Sequence, residues 1–183
     1  MHKYTIFTDG AYSPARNQGG IGFVIVEDGK EVFSYSKMYV NSTNQRMELM
    51  AVIVALESIK TSSEVIIVTD SMYIVGTLTK NWKRKANTDL WARLDRAIER
   101  HKLIDVRWVK GHNGSEYNEK ADKLAYNASN ELNLNMYEIR RNNNVLETVK
   151  HGGISSLIHS KGLLQDQVLL KRKHKDYGHT NWY

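Results

Sequence analysis

Hydrophobic and polar positions alternate at two distinct periods along the first 130 residues, and each change of period marks a predicted element. Lys3 to Asp9 is rich in aromatic and β-branched residues and reads as a strand that stops at "TDGA", a turn signal. Gly19, Gly20 and Gly22 lead into "FVIVED", a second strand. Asp28-Gly29 reads as a tight hairpin turn into a third strand, "KEVFSYSKMYV". The period then changes. Thr43 is a suitable N-cap, and "QRMELMAVIVALESIK" has helical spacing and strong helix formers. "EVIIVTD" is a short apolar strand, expected to be buried on both faces. "SMYIVGTLTK" predicts a short helix ending near Gly76, and Lys80 to Thr88 a basic, Trp-containing connection. "DLWARLDRAIERHK" is an amphipathic helix, "IDVRWVKG" a strand and "SEYNEKADKLAYNASNEL" a last helix. The order predicts an α/β fold: a mixed five-stranded sheet, three antiparallel strands first, with helices packed on it.

Composition narrows the chemistry. The 183 residues suit one domain with an appendage. We divide them into residues 1–132 and a basic extension, 133–183, with "KRKHK" at 171–175 its densest point. Within the extension, a hairpin around Asn142 to Asn144 and a helix from Leu163 to Lys173 are expected. There is no cysteine, which removes disulfides, thiolate metal sites and cysteine nucleophiles. The net charge of +6 favours a polyanionic partner. No run approaches the ~20 apolar residues of a membrane span, and Met1 to Asp9 has charges and no long apolar core. No membrane association is therefore expected, and a cytoplasmic location follows by default.

Four acids fall where the pattern asks for something else. Asp9 and Asp70 end apolar strands. Glu48 shares a helix face with Val52, Ala55 and Ile59, where an acid is costly unless compensated. Asp122 borders the stripe of Ala121, Leu124, Ala125 and Ala128. Taken singly, each has an ordinary reading: strand-end acids cap turns, Glu48 can pair with Arg46, and Asp122 can face solvent. Taken together, neighbouring carboxylates repel one another and attract a divalent cation, and oxygen-only ligands suit magnesium or manganese.

"IFTDGA", "GGIGFVI", "TNQRMELMAVIVALE", "VIIVTDSMYIV", "NTDLWARLD" and "WVKGHNG" followed by "NEKADKLA" resemble bacterial-type ribonuclease HI over residues 1–130, in the right order. The resemblance implies cleavage of the RNA strand of RNA–DNA hybrids, with 5′-phosphate and 3′-hydroxyl products. It implies that Asp9, Glu48, Asp70 and Asp122 hold two magnesium ions ~4 Å apart, with manganese a possible substitute. His112, in "KGHNG", matches the family's mobile-loop histidine, suited to proton transfer or product release. Thr43 and Asn44 match positions that hold a phosphate of the DNA strand. Gly10, Asn44 and Gln45 are candidates to read the RNA 2′-hydroxyls, and Trp82, Lys83, Arg84 and Lys85 to line the groove for the DNA strand.

The chain also departs from the family. Its basic protrusion is short. Met72 replaces a glutamine that touches the minor groove, and Arg16 lies near where an asparagine is expected. Lys171, Arg172, Lys173 and Lys175 could add grip on the hybrid, or the extension could be an accessory or partner-binding arm. The expected partner is the hybrid, bound by a monomer. Two other readings stay open: a non-catalytic hybrid-binding module, and a DNA-cutting nuclease on the same fold.

Overall fold

A computed structural model describes residues 2–111 and 114–131. Its strands are β1 (Lys3–Ser13), β2 (Gln18–Glu27), β3 (Lys30–Val40), β4 (Glu64–Thr69) and β5 (Leu103–Trp108). Its helices are α1 (Asn44–Ser58), α2 (Met72–Thr79), α3 (Thr88–Glu99) and α4 (Glu116–Asn130). The sheet order is β3-β2-β1-β4-β5. β1 is central, antiparallel to β2 and parallel to β4, and β5 adds parallel to β4. This is the mixed sheet the pattern predicts. Among the described residues, no helix is long and apolar enough to cross a membrane.

Asp28 and Gly29 both have positive φ, 50° and 76°, as the hairpin turn between β2 and β3 requires. Thr43 caps α1, its hydroxyl accepting the Arg46 N–H at 3.3 Å. Successive residues of a strand face opposite sides, so the two faces of the sheet are read from the strand residues that each helix touches. Gly10 lies against the backbone of α1, while Gly22, paired with Asp9, lies against α4. α1 and α4 therefore cover opposite faces. The main core forms on the α1 side, where Ile6, Phe23, Ile53 and Ile67 meet Trp91 and Leu94 of α3.

Four details differ from the pattern. β1 does not stop at Asp9 but runs to Ser13, because its ladder with β2 continues through Asp9↔Gly22 and Ala11↔Gly20. The glycines before "FVIVED" belong to β2, and they have a packing reason. A Cβ on Gly20 would stand 2.1 Å from the Ala125 carbonyl oxygen, and one on Gly22 would stand 2.2 Å from that of Ala121. Bare backbone at these positions lets α4 lie directly on the strand. α2 continues past Gly76 to Thr79, the Trp82 ring filling the space a side chain at 76 would take. β4 is buried on the α1 side through Val65, Ile67 and Thr69, whereas on the other face Val68 is buried and Ile66 only half-buried. The expectations for residues 133–183 lie outside the described residues.

His101, just before β5, is buried, and its Nε2–H donates to the Leu56 carbonyl at 3.2 Å. Its Nδ1 has no partner among the described residues. Burial, and secondarily the Arg100 charge, push its pKa below the usual 6.5. The unfolded chain thus takes up this proton first as pH falls, so stability is lost below about pH 6.5. Denaturant melts at pH 7.5 and 5.5 should show a larger loss for the native chain than for His101→Leu; equal losses would remove His101 from this role.

Candidate active site

The site forms where the parallel ladder between β1 and β4 ends. The last β1–β4 ladder pair is Phe7↔Val68, and two residues further on stand Asp9 and Asp70. The shared register brings these acids side by side, Asp9 within β1, where its ladder with β2 continues, and Asp70 just past the end of β4. α4 approaches from one face. It touches Gly22, the ladder partner of Asp9, at Ala121, so Asp122 sits on the turn above that pair. α1 approaches from the other face. A Cβ on Gly10 would stand 2.2 Å from the Glu48 backbone nitrogen, so glycine beside Asp9 lets α1 bring Glu48 down to the strand.

The carboxylates are tied by specific bonds. Asp9 Oδ1 accepts the Gly10 N–H at 2.8 Å. Glu48 Oε1 accepts from the Asn44 side-chain amide at 2.8 Å, and Oε2 from the Ser71 hydroxyl at 2.5 Å. The indole N–H of Trp108, at the end of β5, donates to the Asp70 carbonyl at 3.1 Å. A Cβ on Gly111 would stand 2.8 Å from Asp70 Oδ2, so the loop after β5 passes close over this acid. His112 lies on that loop, outside the described residues.

Their electrostatics are strained. The Asp9 carboxyl is pushed up to about 8, first by burial and then by the Asp70 charge, with further contributions from Asp122. The Gly10 amide opposes part of this rise. Glu48 is also raised, mainly by burial and secondarily by Asp70, against the Ser71 hydrogen bond. The acids thus interact pairwise, Asp9 with Asp70 and Asp122, and Glu48 with Asp70. Among the described residues, no three His, Asp or Glu side chains stand close enough together, as they are, to enclose an ion.

The other candidate residues are placed as follows. Thr43 is the α1 cap, and Asn44 and Gln45 are exposed on its first turn. Arg46 does not pair with Glu48; its guanidinium binds both carboxylate oxygens of Asp89, at 3.0 and 2.7 Å, and ties α1 to α3. Trp82 is half-exposed and packs on Gly76. Lys83 and Lys85 are exposed beside it. Arg84 is already engaged, bound to Asp95 through two hydrogen bonds of 2.5 and 2.9 Å and stacked over the Trp91 ring. A cavity of about 390 Å³ opens near Lys3, Thr5, Phe7 and Tyr117, and no candidate residue lines it.

Sequence reasoning overlooked Ser71, Trp108 and Gly111. Ser71 could have been noticed as a cap residue directly before a helix and directly after an acid. Trp108 and Gly111 carry no such local signal, since their contacts with Asp70 depend on β4 and β5 being neighbours.

Comparison with known proteins gives the family. A family model described as RNase H matches residues 1–130. A ribonuclease H of Alcanivorax borkumensis is 41% identical over 147 residues, covering 72% of this chain and 95% of that protein. A ribonuclease H of Escherichia coli is 43% identical over 138 residues, covering 68% and 88%. The N-terminal RNase H domain of a Mycobacterium tuberculosis protein, solved as a fusion with maltose-binding protein, superposes with a TM-score of 0.64. That likeness covers 71% of this chain and 95% of the other at 20% identity, and so speaks for the fold alone. A family match over residues 1–130 and relatives above 40% identity leave one conclusion: the chain belongs to the RNase H family, on the bacterial branch.

Proposed function

We propose that this protein is an endonuclease that hydrolyses the RNA strand of RNA–DNA hybrids, leaving 5′-phosphate and 3′-hydroxyl ends. The observation that carries the reading is the pairwise coupling of Asp9 with Asp70 and Asp122, and of Glu48 with Asp70, within a chain of this family. The donor set fits hard divalent cations, because it is all carboxylate oxygen. The field that makes Asp9 cling to a proton equally favours a cation. We assign two magnesium ions, with manganese able to replace them. Bound there, they would activate the attacking water and stabilise the leaving 3′ oxygen.

The chain's own groups do the rest. Asp9 and Asp70 offer ligands from backbone held by the sheet, and Glu48 and Asp122 close in from opposite faces. His112 is assigned proton transfer or product release. Thr43, Asn44, Gln45 and the Gly10 amide are assigned to the hybrid backbone and the 2′-hydroxyls. Trp82 offers a sugar-stacking face, Lys83 and Lys85 offer phosphate contacts, and Arg84 braces the connection that carries them. We take residues 1–132 as the catalytic domain of a cytoplasmic monomer, with 133–183 appended.

The test is cleavage of a labelled hybrid, single-stranded RNA, duplex DNA and a branched DNA, with magnesium or with chelator. Only the hybrid should be cut, and chelator should stop it. Cutting of the branched DNA instead, or of nothing under either metal, would overturn the reading. A second expectation concerns the basic connection. Changing Lys83 and Lys85 to Gln should weaken hybrid binding and flatten its log–log salt dependence by about two in slope. An unchanged slope would take both lysines out of the interface.

A further inference from the structure

We propose that Ser71 is a positioning residue for the carboxylate site: its hydroxyl pins Glu48 of α1 against the end of β4, so that Glu48 and Asp70 present to the same cation. The inference rests on the metal-binding role assigned to Glu48 above.

Ser71 sits where three elements meet. It directly follows Asp70, precedes α2 and lies below the first turn of α1. Its side chain is 5% exposed. Its own N–H donates to the Thr69 hydroxyl at 3.1 Å, and its carbonyl accepts from Ile74 and Val75, so its backbone is held on both sides. A serine hydroxyl has a single proton to give, and here that proton goes to Glu48 Oε2 at 2.5 Å. The Ser71 hydroxyl oxygen in turn accepts the Ile74 N–H at a long 3.4 Å. The short bond is the one to the carboxylate, so capping of α2 does not account for the geometry.

The consequence is mechanical. Glu48 is a long side chain on a helix, whereas Asp70 is a short one at a strand end. Left alone, Glu48 would sample several rotamers, each at a different distance from Asp70. The Ser71 hydroxyl holds one carboxylate oxygen and the Asn44 amide holds the other, which selects one orientation. Groups that orient a metal ligand in this way are worth about tenfold or more in metal affinity.

The experiment titrates Mn²⁺ into the full-length protein without nucleic acid, by calorimetry or by loss of the free-ion spin-resonance signal. Ser71→Gly removes the hydroxyl yet leaves a residue well tolerated as a helix cap. It should weaken Mn²⁺ binding about tenfold. Ser71→Thr should restore it. In a Glu48→Gln background, Ser71→Gly should change the affinity no further. Cleavage of the hybrid by Ser71→Gly should recover as metal is raised, since the defect is in occupancy. Mn²⁺ binding by Ser71→Gly equal to the native protein's overturns the inference. Equal weakening in the Glu48→Gln background overturns it too, because the effect would then run through the fold. If Glu48→Gln alone binds Mn²⁺ normally, the metal-binding assignment of Glu48 fails first and takes the inference with it.

Discussion

Asp70→Asn should cost about 10³-fold or more in turnover while the protein stays folded. The amide keeps the shape of the carboxylate and loses the charge that attracts a cation. Metal assistance supplies several kcal/mol of transition-state stabilisation, and each 1.36 kcal/mol is a factor of ten. Stability should move the other way. Asp70 is the leading charge that raises the Asp9 carboxyl to about 8, after burial itself. A carboxyl whose folded pKa lies above its ordinary 3.8 destabilises the fold increasingly as pH rises from one value to the other. Removing the Asp70 charge relieves part of that cost at neutral pH. Hybrid cleavage and thermal melts at pH 7 check both halves. Near-native turnover would remove Asp70 from the chemistry, and a much lower melting temperature would show that its role is structural.

Gly22→Ala should damage stability and activity together. The added Cβ would be driven to 2.2 Å from the Ala121 carbonyl oxygen and 2.5 Å from the Ala125 nitrogen, both backbone atoms that cannot swing aside. Either β2 or α4 must shift by more than an ångström. Overpacking of this kind costs about 3 kcal/mol. For a domain of this size that lowers the melting temperature by roughly 10 °C. Because α4 carries Asp122 one residue from the clash, the surviving folded protein should also bind Mn²⁺ more weakly. A variant with an unchanged melting temperature would show that the helix has room to retreat.

Much of this architecture was legible in the chain. The apolar "FVIVED" run and the Asp28-Gly29 pair marked the β2–β3 hairpin, and the Thr43 cap with its helical stripe marked α1. The errors at β1, β2 and α2 share one cause, which is that glycine has more than one use. Gly10 looked like the start of a turn, but β1 runs through it, and the residue is small so that α1 can approach. Gly76 looked like a helix end, but α2 continues and Trp82 covers it. Local pattern cannot separate a glycine that frees the backbone from one that clears space, because the second kind depends on a distant element. Polar partners were hidden for the same reason. Arg46 is two residues from Glu48 yet binds Asp89 on α3, while Ser71, 23 residues away, reaches Glu48 Oε2. The acids were noticed because they interrupted apolar stripes, and that signal is local.

The place of β1 in the sheet has a kinetic consequence. Its antiparallel contact with β2 closes within a short stretch of chain, whereas its parallel contact with β4 must wait for α1 to be spanned. Asp9 and Asp70 become neighbours only through that slower, non-local pairing. With the site proposed above, a refolding chain that has formed the first three strands alone should be inert, and cleavage should return no earlier than the docking of β4 against β1.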